Sequence, residues 1–315
     1  MRTARGLAEV PADLASPVLA LGTFDGIHLG HRQVIGAAVA RARAIRGAAV
    51  AVTFDPHPVE VLRPSSDPVL LTTLDERLEL LAGAGLDVTV VLPFDLEFSR
   101  ISAQAWLDEI LAEGLRAREI VAGSSYTFGY RREGTAARLA AWGSAGGVAV
   151  HLVPAVLVSG EPVSSSRIRS ALREGLVDEA TRLLGRWYSL RGPVVGGDGR
   201  GRTIGVPTAN LLPPARKVLP ALGVYATVVD AGGRRYGGAT NVGRRPTFGG
   251  GAVAVETHLL GFDGDLSGEE ITLSFVQQIR EERTFPGVDA LVRQIRADVD
   301  RVRELLAAVG PSIIR

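Results

Sequence analysis

The chain has 315 residues, 46% of them hydrophobic and 22% charged, which is room for two ordinary domains with the residue balance of a soluble protein. A net charge of +1 gives no field that selects nucleic acid or an anionic membrane as the main partner, which leaves small ligands as the expected ones. With no cysteine, disulfides, thiolate metal sites and cysteine nucleophiles are excluded.

The opening stretch, "MRTARGLAEVPADLASPVLALG", has Glu9, Pro11 and Asp13 where a signal peptide needs an unbroken apolar core, so a cytoplasmic location is expected. From there to about residue 186, apolar runs alternate with helical patterns: "VLALGTF", "HRQVIGAAVARARAI", "AAVAVTF", "LDERLELLAGAG", "DVTVVLPF", a helix around Trp106, then "EIVAG". Apolar strands separated by helices predict a doubly wound, Rossmann-like α/β domain, whose ligands bind beyond the carboxyl ends of the strands. The uncharged run from Leu139 to Gly160 is broken by Gly143, Gly146, Gly147 and Pro154, short of the ~18 to 20 apolar residues a membrane span needs.

Past Gly185 to Leu190 the texture changes. "GPVV", "GVYATVVDA", "RRYGGATNVG", "AVAVETHLLGF" and "EEITLSFVQQI" are strand-like and divided by glycine-rich turns, which predicts a small antiparallel barrel. Leu291, Ile295, Val299, Val302 and Leu306 then share one helix face, expected to close on the barrel. The expected domains are therefore 1–186 and 187–315.

Five stretches carry candidate chemistry. "GTFDGIHLGH", residues 22–31, leads from the first strand into a helix start, whose free N–H groups attract anions, so His28 and His31 are placed to donate hydrogen bonds to a phosphate. "TFDPHP" fixes His57 at the same sheet edge, and "VSSSRIR" opens a helix with Ser165, Ser166 and Arg169. "GGDGRGRTIGVPTANL" offers a glycine loop with Gly201, Arg202 and Gly205 to wrap phosphate by backbone N–H groups. The only lysine, Lys217, lacks P-loop context, so phosphate must be met by amides, arginine, histidine and metal. Thr208 and Asn210, two apart on extended backbone, present hard oxygens suited to Mg²⁺. In "AVAVETHLL", Glu256 faces the same way as Ala254 and His258 and is a candidate general base.

The first three loops, in this order, resemble the N-terminal half of prokaryotic bifunctional FAD synthetases, whose G-x-F-D-G-x-H-x-G-H and T-F-x-P-H-P motifs are matched at every fixed position. That resemblance implies that Gly22, Phe24, Asp25, His28, His31 and His57 bind ATP, that Ser165, Ser166 and Arg169 hold its triphosphate, and that His28, His31 and Arg169 are catalytic. The family's Gly-x-Asn/Asp-Phe-x-Phe-Gly element is "GSSYTFG" here, with Ser125 in place of the amide or carboxylate. The second half resembles riboflavin kinase through "GRTIGVPTAN", "GVYA", "NVGRRPTF" and "VETH". It implies Thr208 and Asn210 on metal, Glu256 as base, and Arg280, Glu282 and Phe285 of "IREERTF" on flavin, with Ser267 and Thr284 departing from the pattern. The activities implied are phosphorylation of riboflavin to FMN with MgATP and adenylylation of FMN to FAD. Ser125 keeps open a kinase joined to a defective or repurposed nucleotidyltransferase, and a non-catalytic flavin or nucleotide sensor is the second alternative. No G-x-G-x-x-G follows the first strand to support a dinucleotide-dependent oxidoreductase.

Overall fold

The computed structural model describes residues 1–64, 70–196, 201, 205–244 and 253–310, so Arg202 lies outside the described residues. Packing divides the chain into two compact units, Met1–Ser165 and Ser166–Arg315.

The first unit is built on six strands: β1 (Arg2–Arg5), β2 (Val18–Leu21), β3 (Ala49–Asp55), β4 (Val88–Pro93), β5 (Glu119–Gly123) and β8 (Ala149–Val153). They form one sheet in the order β1-β4-β3-β2-β5-β8, parallel at every pairing. Side-chain alternation splits them between two cores: Leu19 and Leu21 pack with Trp106, Leu107 and Leu111, while Val18 and Ala20 pack with Val34, Ile35 and Ala38. The second group is the inner face of α1 (Leu29–Ala44), and α3 (Leu74–Ala82) covers the same side through Leu81. The opposite face is covered by α4, which starts at Ala103 and continues in π form from Trp106 to Gly114, and by α5 (Ala136–Gly146). The expected doubly wound domain is what forms. Strand β1 is an addition to it, because only Ala4 of "RTAR" is buried on this edge and no apolar pattern marks it. Short helix α2 (Pro58–Leu62) and the two-residue hairpins β6/β7 (Thr127–Phe128, Gly134–Thr135) and β9/β10 (Leu157–Val158, Glu161–Pro162) decorate the sheet.

In the second unit, β11 (Tyr188–Val195), β12 (Ala209–Leu211), β15 (Val253–Leu259), β14 (Arg234–Arg244), β13 (Gly223–Ala231) and β16 (Glu270–Glu281) close a barrel in that order, all antiparallel. Helices α6 (Ser165–Arg173) and α7 (Val177–Leu184) precede it. The division by packing falls between Ser165 and Ser166, at the start of α6: α7 packs on β11 and β16, and the backbone of Leu172 accepts from Ala221 N–H. The terminal helix α8 (Val288–Val309) buries Val299, Val302 and Leu306 against Ala226, Val228 and Leu260 of the barrel, through the face predicted from their spacing.

Candidate functional site

At the carboxyl edge of the parallel sheet, β2 runs into a turn with Phe24, Gly26 and Ile27 at φ of 51°, 82° and 37°. Two of these are not glycine, a strain on the order of 1 kcal/mol or more each that persists only where neighbours fix it. The neighbours are identifiable. Phe24 and Ile27 are buried, and the fully buried Asp25 carboxylate accepts from Leu71 N, Thr72 N and Thr72 Oγ1 at 2.9–3.1 Å. Thr72 Oγ1 in turn accepts from Gly26 N at 3.0 Å. Ser165 Oγ donates to Asp25 O at 2.9 Å, which ties the start of the serine motif to the same turn.

His28 caps α1: its Nδ1 accepts from His31 N at 3.3 Å. His57 caps α2 in the same manner, Nδ1 accepting from Val59 N at 3.1 Å. An Nδ1 lone pair used this way puts the proton of the neutral ring on Nε2, so each capping histidine is oriented as an Nε2 donor. The His28 and His31 rings stack with centroids 3.7 Å apart, an arrangement that two cationic rings would oppose, and the edge of Phe24 meets His31 at 5.3 Å. Gly22 ends β2, bonded to Val52 O. Ser125 is exposed just past β5, where Tyr126 N closes a turn on Gly123 O. Ser166 and Arg169 lie on α6 within the second compact unit.

The two loops after β2 and β3 are joined through Arg77, which is 1% exposed. Its Nη1 donates to Phe54 O at 2.9 Å and to Thr53 Oγ1 at 3.2 Å, and Thr53 Oγ1 donates to Thr23 O at 2.8 Å. Burial pulls the guanidinium pKa down, while the carboxylates of Asp25, Asp55 and Glu60 oppose that shift.

The second cluster lies on the barrel. A cavity of about 490 Å³ is lined by Thr208, Asn210, Asn241, Glu256, Arg280 and Phe285 among others. A second, of about 570 Å³, is lined by Val195, Pro207, Leu259, Phe262 and Ser267. Gly201, Thr208 and Asn210 line both, so they form the wall where the two cavities meet. A Cβ on Gly201 would lie 2.4 Å from Val206 O and 3.2 Å from Thr208 Oγ1, so the loop closes on Thr208 only with glycine there. Gly205 is exposed. His258 holds the same loop, its Nδ1 2.8 Å from Pro207 O. Glu256 has no side-chain hydrogen bond among the described residues, which leaves its carboxylate available. Arg280 is committed elsewhere: Nε and Nη2 donate to Asp298 at 2.8–3.1 Å, and its guanidinium lies 5.6 Å from the Phe285 ring centre. Glu282 Oε1 accepts from Arg244 N at 3.3 Å. Ser267 lines the second cavity, not the one that holds Arg280, Glu282 and Phe285, and its hydroxyl donates to Asp265 at 2.6 Å.

Comparison with known proteins gives the same two halves. The FAD synthetase family matches residues 10–167 and the riboflavin kinase family residues 184–306. The bifunctional riboflavin kinase/FMN adenylyltransferase of Listeria monocytogenes is 37% identical over 92% of each chain, and that of Escherichia coli K12 is 34% identical over 99% of each. The chain belongs to the bifunctional riboflavin kinase/FMN adenylyltransferase family. It is an enzyme with its adenylyltransferase domain first and its riboflavin kinase domain second. A solved structure described as a macrolide-efflux protein from Streptococcus pneumoniae is 34% identical with a TM-score of 0.87, covering 96% of this chain and 99% of that one. The efflux description belongs to that protein. No helix among the described residues here is long and apolar enough to cross a membrane.

For this bifunctional enzyme, sequence reasoning missed the segment Leu71–Arg77, which pins both adenylyltransferase loops. It read "LDERLELL" only as a helix, since a buried arginine has the same letter as a surface one. In the kinase half it missed Asp298, which occupies Arg280. A carboxylate on the buried face of α8 was the available signal.

Proposed function

We propose that the barrel transfers the γ-phosphoryl group of ATP to the terminal hydroxyl of riboflavin, and that the parallel-sheet domain transfers AMP from a second ATP to the phosphate of the FMN formed. Residues 1–186 serve the adenylyl transfer and 187–315 the phosphorylation. In the kinase reaction the nucleotide lies in the cavity with Val195, Leu259 and Phe262, and the flavin lies in the cavity beneath α8. Glu256 takes the hydroxyl proton as the new O–P bond forms and the bond to the β-phosphate oxygen breaks. Thr208 and Asn210 are neutral hard oxygens, the donor type that suits Mg²⁺ already carrying nucleotide phosphates, and the ion would supply charge neutralisation there. No cluster of three or more acidic or histidine side chains among the described residues offers a rival metal site.

In the adenylyl transfer, a phosphate oxygen of FMN bonds to the α-phosphorus of ATP and pyrophosphate leaves. His28 and His31 donate to the α-phosphate as its charge grows, His57 faces the same edge, and Ser165, Ser166 and Arg169 meet the departing phosphates. Phe24 and Asp25, both fully buried, act by shaping the turn. Arg280 holds α8 over the flavin through Asp298, while Phe285 and Glu282 face the flavin directly.

One observation carries this reading: two cavities meet at Thr208 and Asn210, and Glu256, which lines the first of them with no side-chain hydrogen bond among the described residues, is the cross-strand neighbour of Asn210. The test is product analysis with ATP, Mg²⁺ and riboflavin. FMN followed by FAD is expected. FMN accumulating with no FAD would restrict the function to the kinase, with Ser125 as the first residue to examine, and neither product would overturn both assignments.

A further inference from the structure

The barrel register assembles a row that the sequence motifs do not reveal. Asn210 of β12 pairs with Glu256 of β15, Glu256 pairs with Asn241 of β14, Asn241 pairs with Val224 of β13, and Val224 pairs with Arg280 of β16. All five line the cavity assigned to the flavin. Directly opposed residues have Cβ atoms about 4.5–5.5 Å apart, so Glu256 is flanked at that distance by an amide on each side. Asn210 is on the side of the nucleotide cavity. Asn241 is on the side away from it, exposed, with no side-chain hydrogen bond among the described residues. A Cβ on Gly243 would lie 2.6 Å from Asn241 Nδ2 and 2.7 Å from Glu282 Oε1, so the amide and that carboxylate converge over a residue that has no side chain to separate them.

We propose that Asn241 is the residue that selects a polyol-bearing acceptor: it binds the hydroxyl adjacent to the reacting one and so sets the reacting oxygen against Glu256. The inference rests on the assignment of Glu256 as base. If the terminal hydroxyl sits between Glu256 and the phosphoryl group, the acceptor chain must leave along the row, and the next hydroxyl falls over Asn241. A vicinal hydroxyl is both donor and acceptor, and a carboxamide matches it in both senses. A carboxamide is also neutral, so it does not compete with Glu256 for the proton or repel its charge.

The experiment compares riboflavin with 4′-deoxyriboflavin as phosphoryl acceptors in the full-length enzyme. The wild type is expected to favour riboflavin in kcat/KM by roughly 10- to 100-fold, since a site built to hydrogen-bond a hydroxyl discriminates against its absence. Asn241→Ala is expected to collapse that ratio to about threefold or less by losing rate on riboflavin alone, because 4′-deoxyriboflavin has no group for the amide to bind. Thermal unfolding of each variant, followed by circular dichroism, checks that the barrel is folded. A wild type that does not discriminate, or an Asn241→Ala enzyme with the wild-type ratio, would overturn the proposal. If Glu256→Gln also retains turnover, the base assignment has failed. If Glu256→Gln is inactive while Asn241→Ala keeps the ratio, the failure belongs to this inference alone.

Discussion

The two halves hold their candidate sites by different means. In the barrel, Asn210, Glu256 and Asn241 sit on paired strands, so backbone register sets their spacing. At the sheet edge, His28 and His57 sit on loops, one of them strained, and a buried polar network of Asp25, Thr53, Thr72 and Arg77 fixes what register cannot. A strand-borne site should fail when its chemical group is removed. A loop-borne site should also fail when a distant tether is cut.

The largest expected effect is on the strand-borne site. Glu256→Gln should lower FMN formation by roughly 10²- to 10⁴-fold, about 3 to 5 kcal/mol of barrel chemistry, with FAD formation from supplied FMN unchanged. Retention of more than about a tenth of the wild-type rate would remove Glu256 from the role of base, being far less than such a group contributes. Next comes His28→Ala, which removes both an Nε2 donor and the cap on α1. FAD formation should fall by about 10²- to 10³-fold, as for loss of one transition-state donor, while riboflavin phosphorylation continues. Loss of both activities in a folded variant would contradict the separation of the sites.

The comparison is sharpest at Arg77, which touches neither substrate in the proposed scheme. Arg77→Met keeps much of the side-chain volume but drops the bonds to Phe54 O and Thr53 Oγ1. We expect a loss of about 10- to 100-fold in kcat/KM for FAD formation, the scale of a misplacement near 1 Å, with unchanged kinase rates and partial rescue by Arg77→Lys. An Arg77→Met enzyme forming FAD at the wild-type rate would mean that the strained turn is held without the tether.

What the sequence made legible follows the same division. The apolar runs of β2, β3, β4 and β5, and the face of α8, follow from periodicity, because each buries a regular pattern. The histidines, "PTAN" and "VETH" could be singled out because unusual residue types at fixed spacing carry chemistry. Asn241 belongs to the motif "NVGRRPTF", yet its place beside Glu256 depends on the pairing of two strands, which the motif does not encode. Asp25 bonds to Leu71 and Thr72, 46 and 47 residues on, and Arg77 to Thr53 and Phe54, 24 and 23 residues back, and no local pattern encodes a polar contact at that separation.

The smallest expected effect lies at the opposite end of the sheet from His28 and His57. Glu119, the first residue of β5, accepts from Arg41 Nε and Nη2 at 2.8 and 2.9 Å and lies 2.7 Å from His151 Nε2. The bonds from Arg41 hold its carboxyl well down, at about 2 against an ordinary 4.5. A carboxyl whose folded pKa is depressed stabilises the fold fully above its unfolded value, and that contribution drains away as pH falls from about 4.5 towards 2. Because the Arg41 side chain is 42% exposed, solvent screens the pair and the contribution should be about 1 to 2 kcal/mol rather than the full value of the shift. Glu119→Gln should therefore lower the unfolding free energy of the sheet domain by that amount at pH 7, measured by urea titration, and the variant and wild-type curves should converge as the pH approaches 2. FAD formation should stay within about twofold, since a substitution away from the loops that carry the chemistry acts on stability alone. A gap in stability that persists unchanged to low pH would assign the contribution of Glu119 to packing instead of charge, and a fall in FAD formation would show that the two ends of the sheet are coupled.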